Sequence, residues 1–276
     1  MIRKLSILAA LLVVGFAGIT PPASAITDGE LDGTDHPMVA LMVAKDADGQ
    51  LLGRCSGTFI SSTVYVTAGH CTFGAAEVEI FLSTGPIPLG KGYPAAGADP
   101  CAGVVGYPCT GDVSGTPYTH PEYDDSAFYL HDLGVVVVDK PVVLAEYGEL
   151  PTEGQLDALQ ARRTTTFTAV GYGLQKAFPD AAGWKDQAER TRYVAHPRLL
   201  KINTKAYGTS SLIVSANANT GGTCFGDSGG PYFIGDTLTL AGVTSFGVNS
   251  TCAGTAGVYR IDQADDLTFI NSFLRP

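Results

Sequence analysis

The six-residue segment 226–231, Gly-Asp-Ser-Gly-Gly-Pro, constrains this chain more than any other segment. Its glycines predict a sharp turn, because glycine adopts backbone conformations that other residues reach only with strain. The turn would present the hydroxyl of Ser228 beside the backbone N–H groups of Ser228 and Gly226. Two N–H groups at that place can stabilise a developing oxyanion. The segment therefore predicts a nucleophilic serine and its oxyanion hole on one loop.

A serine hydroxyl is nearly inert at neutral pH and needs an adjacent base. Segment 67–71, Thr-Ala-Gly-His-Cys, offers His70 as that base. Asp132 directly precedes the apolar run 135–138, so its carboxylate is expected to enter the interior, where a charge needs a partner. The other nearby aspartates are interpreted as turn caps or exposed groups. The histidines other than His70 are interpreted as structural or exposed, with His131 pointing away.

The three segments, in the chain order histidine, aspartate, serine, resemble the chymotrypsin/trypsin family of serine proteases, whose Ser-His-Asp mechanism is the general template for such sites. The resemblance implies a serine endopeptidase that hydrolyses peptide bonds through an acyl-enzyme, with Ser228 as nucleophile, His70 as base and Asp132 orienting His70. An α/β-hydrolase is disfavoured, because its order is serine, acid, histidine. A non-catalytic binding or adhesion module on the same fold remains as the alternative.

Short apolar and β-branched runs separated by Gly- and Pro-rich turns predict an all-β chain. The family resemblance implies two antiparallel six-stranded β-barrels, about 26–145 and 160–262, with the active site in the cleft between them. A C-terminal helix, about 262–274, is expected to pack on the second barrel. The predicted strands are 38–43, 57–60, 64–67, 78–82, 135–138, 165–170, 212–214, 231–234, 238–246 and 257–261.

Residues 1–25 have the pattern of a secretory signal peptide: Arg3 and Lys4, an apolar run over 5–19, and Ala-Ser-Ala at 23–25. The run is short for a membrane span of roughly 20 residues, although an uncleaved anchor is the alternative. We therefore expect a secreted domain over 26–276. Acidic residues outnumber basic ones, 27 against 17, which argues against nucleic-acid or anionic-membrane partners. Nothing in the sequence demands more than a monomer with a peptide or protein substrate.

The predicted cleavage would leave Ile26 as the new N-terminus. Its sequence, Ile-Thr-Asp-Gly, resembles the Ile-Val-Gly-Gly start of the family and differs from it at two of four positions. In the family, the new terminal ammonium pairs with the aspartate before the nucleophile, which is Asp227 here. The resemblance thus implies that Ile26 and Asp227 form an activating ion pair that shapes the oxyanion hole.

Six cysteines in an exported chain predict disulfides, and the sequence alone permits many pairings. The resemblance implies Cys55–Cys71 and Cys224–Cys252, and leaves Cys101 and Cys109 to close a small loop within the Gly- and Pro-rich stretch 85–115. No Cys-x-x-Cys or His-rich cluster suggests a metal. Glu77 and Glu79 lie where some relatives bind calcium, but they are interpreted as a solvated strand face, and no metal or cofactor is assigned.

The resemblance also places a substrate pocket. Its base would be Gly222, beside Thr223, and its walls would involve Ser245, Phe246, Gly247 and Gly257. An aspartate at the base would favour cleavage after Arg or Lys, and glycine stands there instead. We therefore expect an apolar or aromatic side chain at P1, the residue before the scissile bond. The backbone of 245–247 is expected to pair with the substrate as an added β-strand.

Overall fold

The computed structural model describes residues 26–95, 99–175 and 189–274, and the predicted signal peptide lies outside this part. Strands dominate the described residues, as expected for β-branched and aromatic runs punctuated by turn residues. The strands are β1 Glu30–Leu31, β2 Val39–Lys45, β3 Leu51–Phe59, β4 Val64–Thr67, β5 Glu77–Phe81, β6 Val113–Thr119, β7 Gly134–Val138, β8 Phe167–Gly171, β9 Tyr193–Ala195, β10 Leu199–Ile202, β11 Ser211–Ala216, β12 Pro231–Ile234, β13 Leu240–Gly247 and β14 Gly254–Arg260. The helices are α1 Gly69–Thr72 and α2 Ala264–Leu274, and 3-10 turns lie at Asp125–Ala127 and Gln155–Ala158.

The first half forms a closed antiparallel barrel in the order β2-β3-β4-β7-β6-β5. β7 pairs with both β4 and β6. All of its residues except Val137 are buried, so both faces are covered, which explains its uninterrupted Val-Val-Val-Val sequence. β6 was not predicted, because it contains Gly115 and Pro117. Pro117 is tolerated there because β5 pairs with β6 only as far as Gly115, so this end of β6 has a single partner in the described sheet.

The second half forms an eight-stranded antiparallel sheet in the order β1-β9-β8-β12-β13-β14-β11-β10. The all-β prediction is confirmed, whereas the second unit is a curled sheet rather than the closed six-stranded barrel that was expected. The N-terminal strand β1 adds to β9 at one edge, and β10 adds to β11 at the other. Strands β1, β9 and β10 are two to four residues long, which is too short to produce a recognisable alternating pattern.

The C-terminal helix α2 begins at Ala264, close to the predicted start, and it contacts the first barrel as well as the second sheet, where Asp266 accepts from the hydroxyl of Tyr259. Ile270 is buried in the large core cluster to which both halves contribute. The ring of Phe273 lies 4.8 Å from that of Tyr118 on β6, and the ring of Phe269 lies 5.1 Å from that of His120. Within the described ranges, no helix is long and apolar enough to cross a bilayer.

The structure forms the three disulfides that the resemblance implies. Cys55–Cys71 joins β3 to α1, and Cys224–Cys252 joins the serine loop to the segment between β13 and β14. Cys101–Cys109 closes an eight-residue separation in the long connection between β5 and β6. Two of the three bonds therefore brace the segments that carry predicted site residues.

Glu79 is buried, contrary to the expectation of a solvated face, while Glu77 is exposed. The ammonium of Lys45 lies 2.7 Å from Glu79 Oε1 and donates to the carbonyl of Cys109 at 2.8 Å. The other carboxylate oxygen of Glu79 accepts from the N–H of Gly111 and the hydroxyl of Ser114. Lys45 thus supplies the positive charge that a buried carboxylate requires.

Replacing Lys45 with methionine should leave Glu79 as an unpaired buried charge and lower the free energy of unfolding by about 3–5 kcal/mol. Urea unfolding monitored by circular dichroism measures this loss. Glu77→Gln is the matched control, because Glu77 is exposed and 3.7 Å from the same ammonium. That substitution should cost no more than about 1 kcal/mol. Equal losses for the two variants would contradict a buried, obligatory Lys45–Glu79 pair.

Candidate active site

His70 lies in the one-turn helix α1, which begins two residues after β4 and is tied to β3 by Cys71. Gly69 allows the close approach of this helix to the segment before β7. A Cβ at that position would lie 2.9 Å from the ring of Tyr123 and 3.0 Å from the backbone nitrogen of Leu133. The family usually has alanine here, and glycine removes this crowding. The imidazole of His70 remains about a quarter exposed, at 26%.

The carboxylate of Asp132 is fully buried and receives hydrogen bonds from two residues. His70 Nδ1 lies 3.0 Å from Asp132 Oδ2 and 3.1 Å from Oδ1, and the backbone N–H of His70 donates to Oδ1 at 2.9 Å. The hydroxyl of Ser245 donates to Oδ2 at 2.5 Å. These donors hold the carboxylate in one orientation. Because Nδ1 faces Asp132, Nε2 of His70 is the ring nitrogen left to accept a proton.

The pKa of His70 reflects two opposing effects. Burial disfavours the imidazolium and lowers the pKa, but the negative charge of Asp132 and the hydrogen bond to it outweigh burial. The net result is a pKa above the ordinary histidine value. A base that is stabilised in its protonated form can hold a proton taken from a nucleophile.

His131, the residue before Asp132, points away from His70 as expected. Its backbone is left-handed, with φ of 50°, and its ring stacks on His120 at 5.1 Å. Its Nδ1 lies 3.3 Å from Asp265 on α2, and its Nε2 lies 3.4 Å from Glu122. This arrangement fastens the Asp132 segment to the C-terminal helix.

Two groups of described residues bring potential metal ligands within 4.8 Å of one another. In the first, Cys55, His70 and Cys71, both sulfurs are used by a disulfide. The second joins His120 and His131 to Asp265 and Asp266. There the buried carboxylate of Asp266 already accepts a hydrogen bond from the hydroxyl of Tyr259 at 3.0 Å.

The serine loop is pressed against the end of β4. Gly226 and Gly229 have φ of 96° and 77°, which explains the requirement for glycine at both positions. A Cβ on Gly229 would lie 2.0 Å from Thr67 Oγ1 and 2.7 Å from the nitrogen of Ala68. The carbonyl of Ser228 accepts from the N–H of Ser56 at 2.8 Å. The half-buried Ser228 therefore sits on a rigid loop whose neighbour is the segment that leads to His70.

Asp227 is fully buried, and its carboxylate accepts from the N–H groups of Gly173 and Cys224 at 2.7 and 2.8 Å. Burial raises its pKa to about 7, although these hydrogen bonds and the charge of Arg54 oppose the rise. Ile26 is also fully buried, against Tyr193. No hydrogen bond joins Ile26 to Asp227 in the described residues. The nitrogen of Ile26 is a peptide amide in the full chain, because residue 25 precedes it.

A cavity of about 290 Å³ adjoins Ser228. Four of the predicted substrate-binding residues line it: Thr223, Ser245, Phe246 and Gly247. Its other lining residues are Phe128, Cys224, Phe225, Ser228, Thr244 and Cys252. None of these side chains carries a formal charge, so the cavity suits an uncharged group.

The two remaining predicted pocket residues are tightly packed. The N–H of Gly222 donates to the carbonyl of Thr27 at 3.0 Å, and the carbonyl of Gly222 accepts from the hydroxyl of Thr27 at 3.1 Å. A Cβ on Gly222 would lie 2.4 Å from that of Ala216, so a charged side chain has no room there. The ring of Phe246 fills the space over Gly257, 2.2 Å from where its Cβ would be.

Sequence reasoning missed several residues around the site. Phe128 contacts His70, with ring centroids 6.2 Å apart and nearly perpendicular planes. Ser245 was predicted only as a pocket wall, and its hydrogen bond to Asp132 spans 113 residues of sequence. No local pattern signals such long-range contacts. Phe225 could have been suspected, because it directly precedes the glycine-flanked serine.

The fold, the buried histidine–aspartate pair and the glycine-flanked serine define a serine endopeptidase. The trypsin family model matches residues 32–264. A trypsin from Saccharopolyspora erythraea is 30% identical over 233 residues, covering 82% of this chain and 87% of that protein. The chain belongs to the trypsin family, and its substrates are therefore peptides or proteins.

Two further comparisons agree with this assignment. Serine protease 7 from Drosophila melanogaster is 27% identical over 265 residues, which is 86% of this chain but only 62% of that longer protein. A solved structure of HL collagenase superposes with a TM-score of 0.66 at 18% identity, covering 91% of this chain and all of that one. At this identity, the solved structure supports the fold alone.

Asp132→Asn should lower the pKa of His70, because it removes the charge that raises this pKa and leaves the opposing effect of burial. NMR titration of the His70 ring protons in the variant and the parent measures the shift directly. Asp124→Asn is the control, since Asp124 is exposed and its side chain caps a 3-10 turn. An unchanged pKa in Asp132→Asn would mean that Asp132 does not stabilise the His70 imidazolium.

Proposed function

We propose that this chain is a secreted, monomeric serine endopeptidase that works through His70, Asp132 and Ser228 without a metal or cofactor. The observation that carries the proposal is the buried Asp132 carboxylate. It is held by the backbone N–H of His70, by Nδ1 of the same residue and by the hydroxyl of Ser245. A buried carboxylate with this set of donors is suited to orienting a general base. The glycine-flanked serine on the adjacent loop is the group that such a base would activate.

The proposed reaction follows the double-displacement course of serine proteases. His70 accepts the proton of Ser228 as the serine oxygen attacks the carbonyl carbon of the scissile peptide bond. The N–H groups of Gly226 and Ser228 stabilise the resulting oxyanion. His70 then gives its proton to the leaving amine, which departs and leaves an acyl-enzyme. Water attacks the acyl-enzyme with His70 again as base and restores the serine.

We propose that the 290 Å³ cavity receives an apolar or aromatic P1 side chain. Its lining residues are uncharged, and Phe128, Phe225 and Phe246 offer aromatic surface. The hydroxyl of Thr223 is already within 2.9 Å of that of Tyr232, so it is not a free polar group. The crowding at Gly222 supports the same preference, because it leaves no place for an acidic side chain that would attract Arg or Lys.

The experiment that tests this proposal is cleavage of a peptide library by the secreted protein and by its Ser228→Ala variant. We expect cleavage mainly after Phe, Tyr, Leu or Met. We also expect kcat to fall by about 10⁶ in Ser228→Ala, as for other serine proteases that lose their nucleophile. Mass spectrometry of the products reports both results. Cleavage mainly after Arg or Lys would contradict the P1 assignment. No cleavage by a folded protein starting at Ile26 would favour the binding-module alternative.

We further propose that removal of residues 1–25 activates the enzyme. The new ammonium group at Ile26 would pair with Asp227 and fix the oxyanion-hole loop. Support comes from the burial of both residues and from the bond between Thr27 and Gly222, which already ties the N-terminal segment to the serine loop region. A buried carboxylate with a raised pKa is a favourable site for a new positive charge.

This activation step predicts a specific difference in pH dependence. Consider a variant that begins with Gly-Ser directly before Ile26, so that Ile26 carries no free ammonium group. In this variant Asp227 keeps a pKa of about 7, above its unfolded value near 4. The folded state then binds its proton more tightly, so the free energy of unfolding falls as pH rises from about 4 to about 7. In a chain that starts at Ile26, the ammonium group offsets this fall.

Urea unfolding of the two chains between pH 4 and 7.5, both carrying Ser228→Ala to prevent self-digestion, measures the difference. Other titrating groups are common to both chains and cancel in the comparison. Parallel profiles would contradict the Ile26–Asp227 pair. Sequencing of the naturally secreted protein provides the control, and a start other than Ile26 would contradict activation by signal cleavage.

A further inference from the structure

A second and larger cavity, of about 960 Å³, adjoins the serine loop at Phe225 and Gly226. Its lining includes Gly226, Phe225, Tyr107 and two arginines, Arg54 and Arg190. Phe225 also lines the 290 Å³ cavity next to Ser228. The two cavities therefore meet at the serine loop, with the proposed oxyanion-hole residue Gly226 at the edge of the larger one.

The two arginines lie close to the reacting centre. A Cβ on Gly226 would lie 3.1 Å from Arg54 Nε and 3.4 Å from its Nη2, so this guanidinium lies directly against the loop. Its charge also reaches Asp227, whose pKa rise it opposes. Arg54 thus places a permanent positive charge against Gly226, two residues before Ser228, in the lining of the cavity.

Arg190 is held in place by two contacts. Its Nε donates to the carbonyl of Ile87 at 2.6 Å, and its guanidinium carbon lies 5.0 Å from the centre of the Tyr107 ring. Burial lowers the pKa of Arg190, and the neighbouring charge of Arg54 contributes to the lowering. Across the described ranges, no carboxylate forms an ion pair with either arginine. The cavity therefore contains two adjacent positive charges that have no ion-pair partner among the described residues, in a chain whose net charge is −10.

The direction of a bound peptide assigns this cavity to one half of the substrate. The residues before the scissile bond would follow the edge of 245–247 that faces away from β14 and fill the 290 Å³ cavity. The carbonyl under attack would point to the N–H groups of Gly226 and Ser228. The chain after the scissile bond must then leave past Gly226, on the side of the 960 Å³ cavity.

We propose that Arg54 and Arg190 form a carboxylate-binding subsite that selects peptides with Asp or Glu shortly after the scissile bond. The inference rests on the proposed function, because it uses the same serine and the same chain direction. Guanidinium groups bind carboxylates through charge-assisted, often paired hydrogen bonds. The fixed position of Arg190 reduces the entropy lost when it binds. An acidic substrate residue would supply a carboxylate to pair with these two guanidinium groups.

Internally quenched peptides test the proposal. One set shares its residues before the scissile bond and carries Glu or Gln at the first, second or third position after it. At one of these positions we expect kcat/KM to be about fivefold higher for Glu, the size of one partly exposed ion pair. This ratio should fall towards one in Arg54→Gln and in Arg190→Gln. It should also shrink at high salt, since ions screen exposed charges.

A charge-reversal variant distinguishes loss of the subsite from loss of folding. Arg190→Glu should reverse the preference, so that Lys becomes better than Glu at the same position. Arg198→Gln is the matched control, because Arg198 lies beside β10 in the second sheet and should retain both the rate and the ratio. Each rate is divided by the rate of the same variant on an amide substrate with a small uncharged leaving group. This ratio cancels any change at the oxyanion hole.

The outcomes separate the two proposals. Equal rates for Glu and Gln at all three positions, with cleavage abolished by Ser228→Ala, would overturn the carboxylate subsite and keep the proposed protease. A Glu preference that persists unchanged in both glutamine variants would assign it to other residues and also overturn the subsite. Absence of any Ser228-dependent cleavage would overturn the proposed function itself.

Discussion

The antiparallel pairing of β4 with β7 is the constraint on which the rest of this site depends. The register sets Thr67 opposite Gly134, so the segment after β4 and the segment before β7 emerge at the same end of the barrel. His70 lies three residues beyond one strand, and Asp132 lies two residues before the other. The four residue pairs between the two strands and the burial of both strands hold this register. Packing in the barrel core thus determines the geometry of the polar pair.

Most buried charges among the described residues are compensated by partners with defined geometry, and two buried acids are exceptions. Arg192 donates to Asp32 at 2.7 Å and to two backbone carbonyls, and Arg260 donates to Asp262 at 2.7 Å. Such pairs keep both members charged despite the desolvation that burial imposes. Asp227 has only backbone N–H donors and the more distant Arg54, and its pKa is raised to about 7. Asp266 is the second exception, because burial and the charge of Asp265 raise its pKa to about 8. Asp227 therefore differs from the ion-paired acids Asp32 and Asp262, in the direction expected of a group that awaits a cation.

The sequence predicted the features that depend on local chemistry. All ten predicted strands overlap an observed strand, since runs such as 64–67 and 231–234 combine β-branched or aromatic residues with flanking turns. The glycines at 226 and 229 predicted a turn, and both have the positive φ angles that such a turn requires. The closeness of His70 and Asp132 came from resemblance and not from spacing, because nothing local joins residues 62 positions apart. β6 was missed because Gly115 and Pro117 are usually turn residues. A strand tolerates Pro117 here because β5 does not pair with this end of β6 in the described sheet.

The same distinction explains why substrate selection is harder to predict than the reaction. The reacting groups lie in short motifs, whereas each cavity collects side chains from distant parts of the chain. The cavity beside Ser228 needs Phe128 from the connection before β7 and Gly247 from the end of β13. The cavity beyond Gly226 needs Arg54 from β3 and Arg190 from the segment before β9. Backbone hydrogen bonds hold the serine loop between both cavities. A bound substrate would therefore contact both cavities at once. Its preference must therefore be analysed on both sides of the scissile bond, with the uncharged side and the positively charged side as separate determinants.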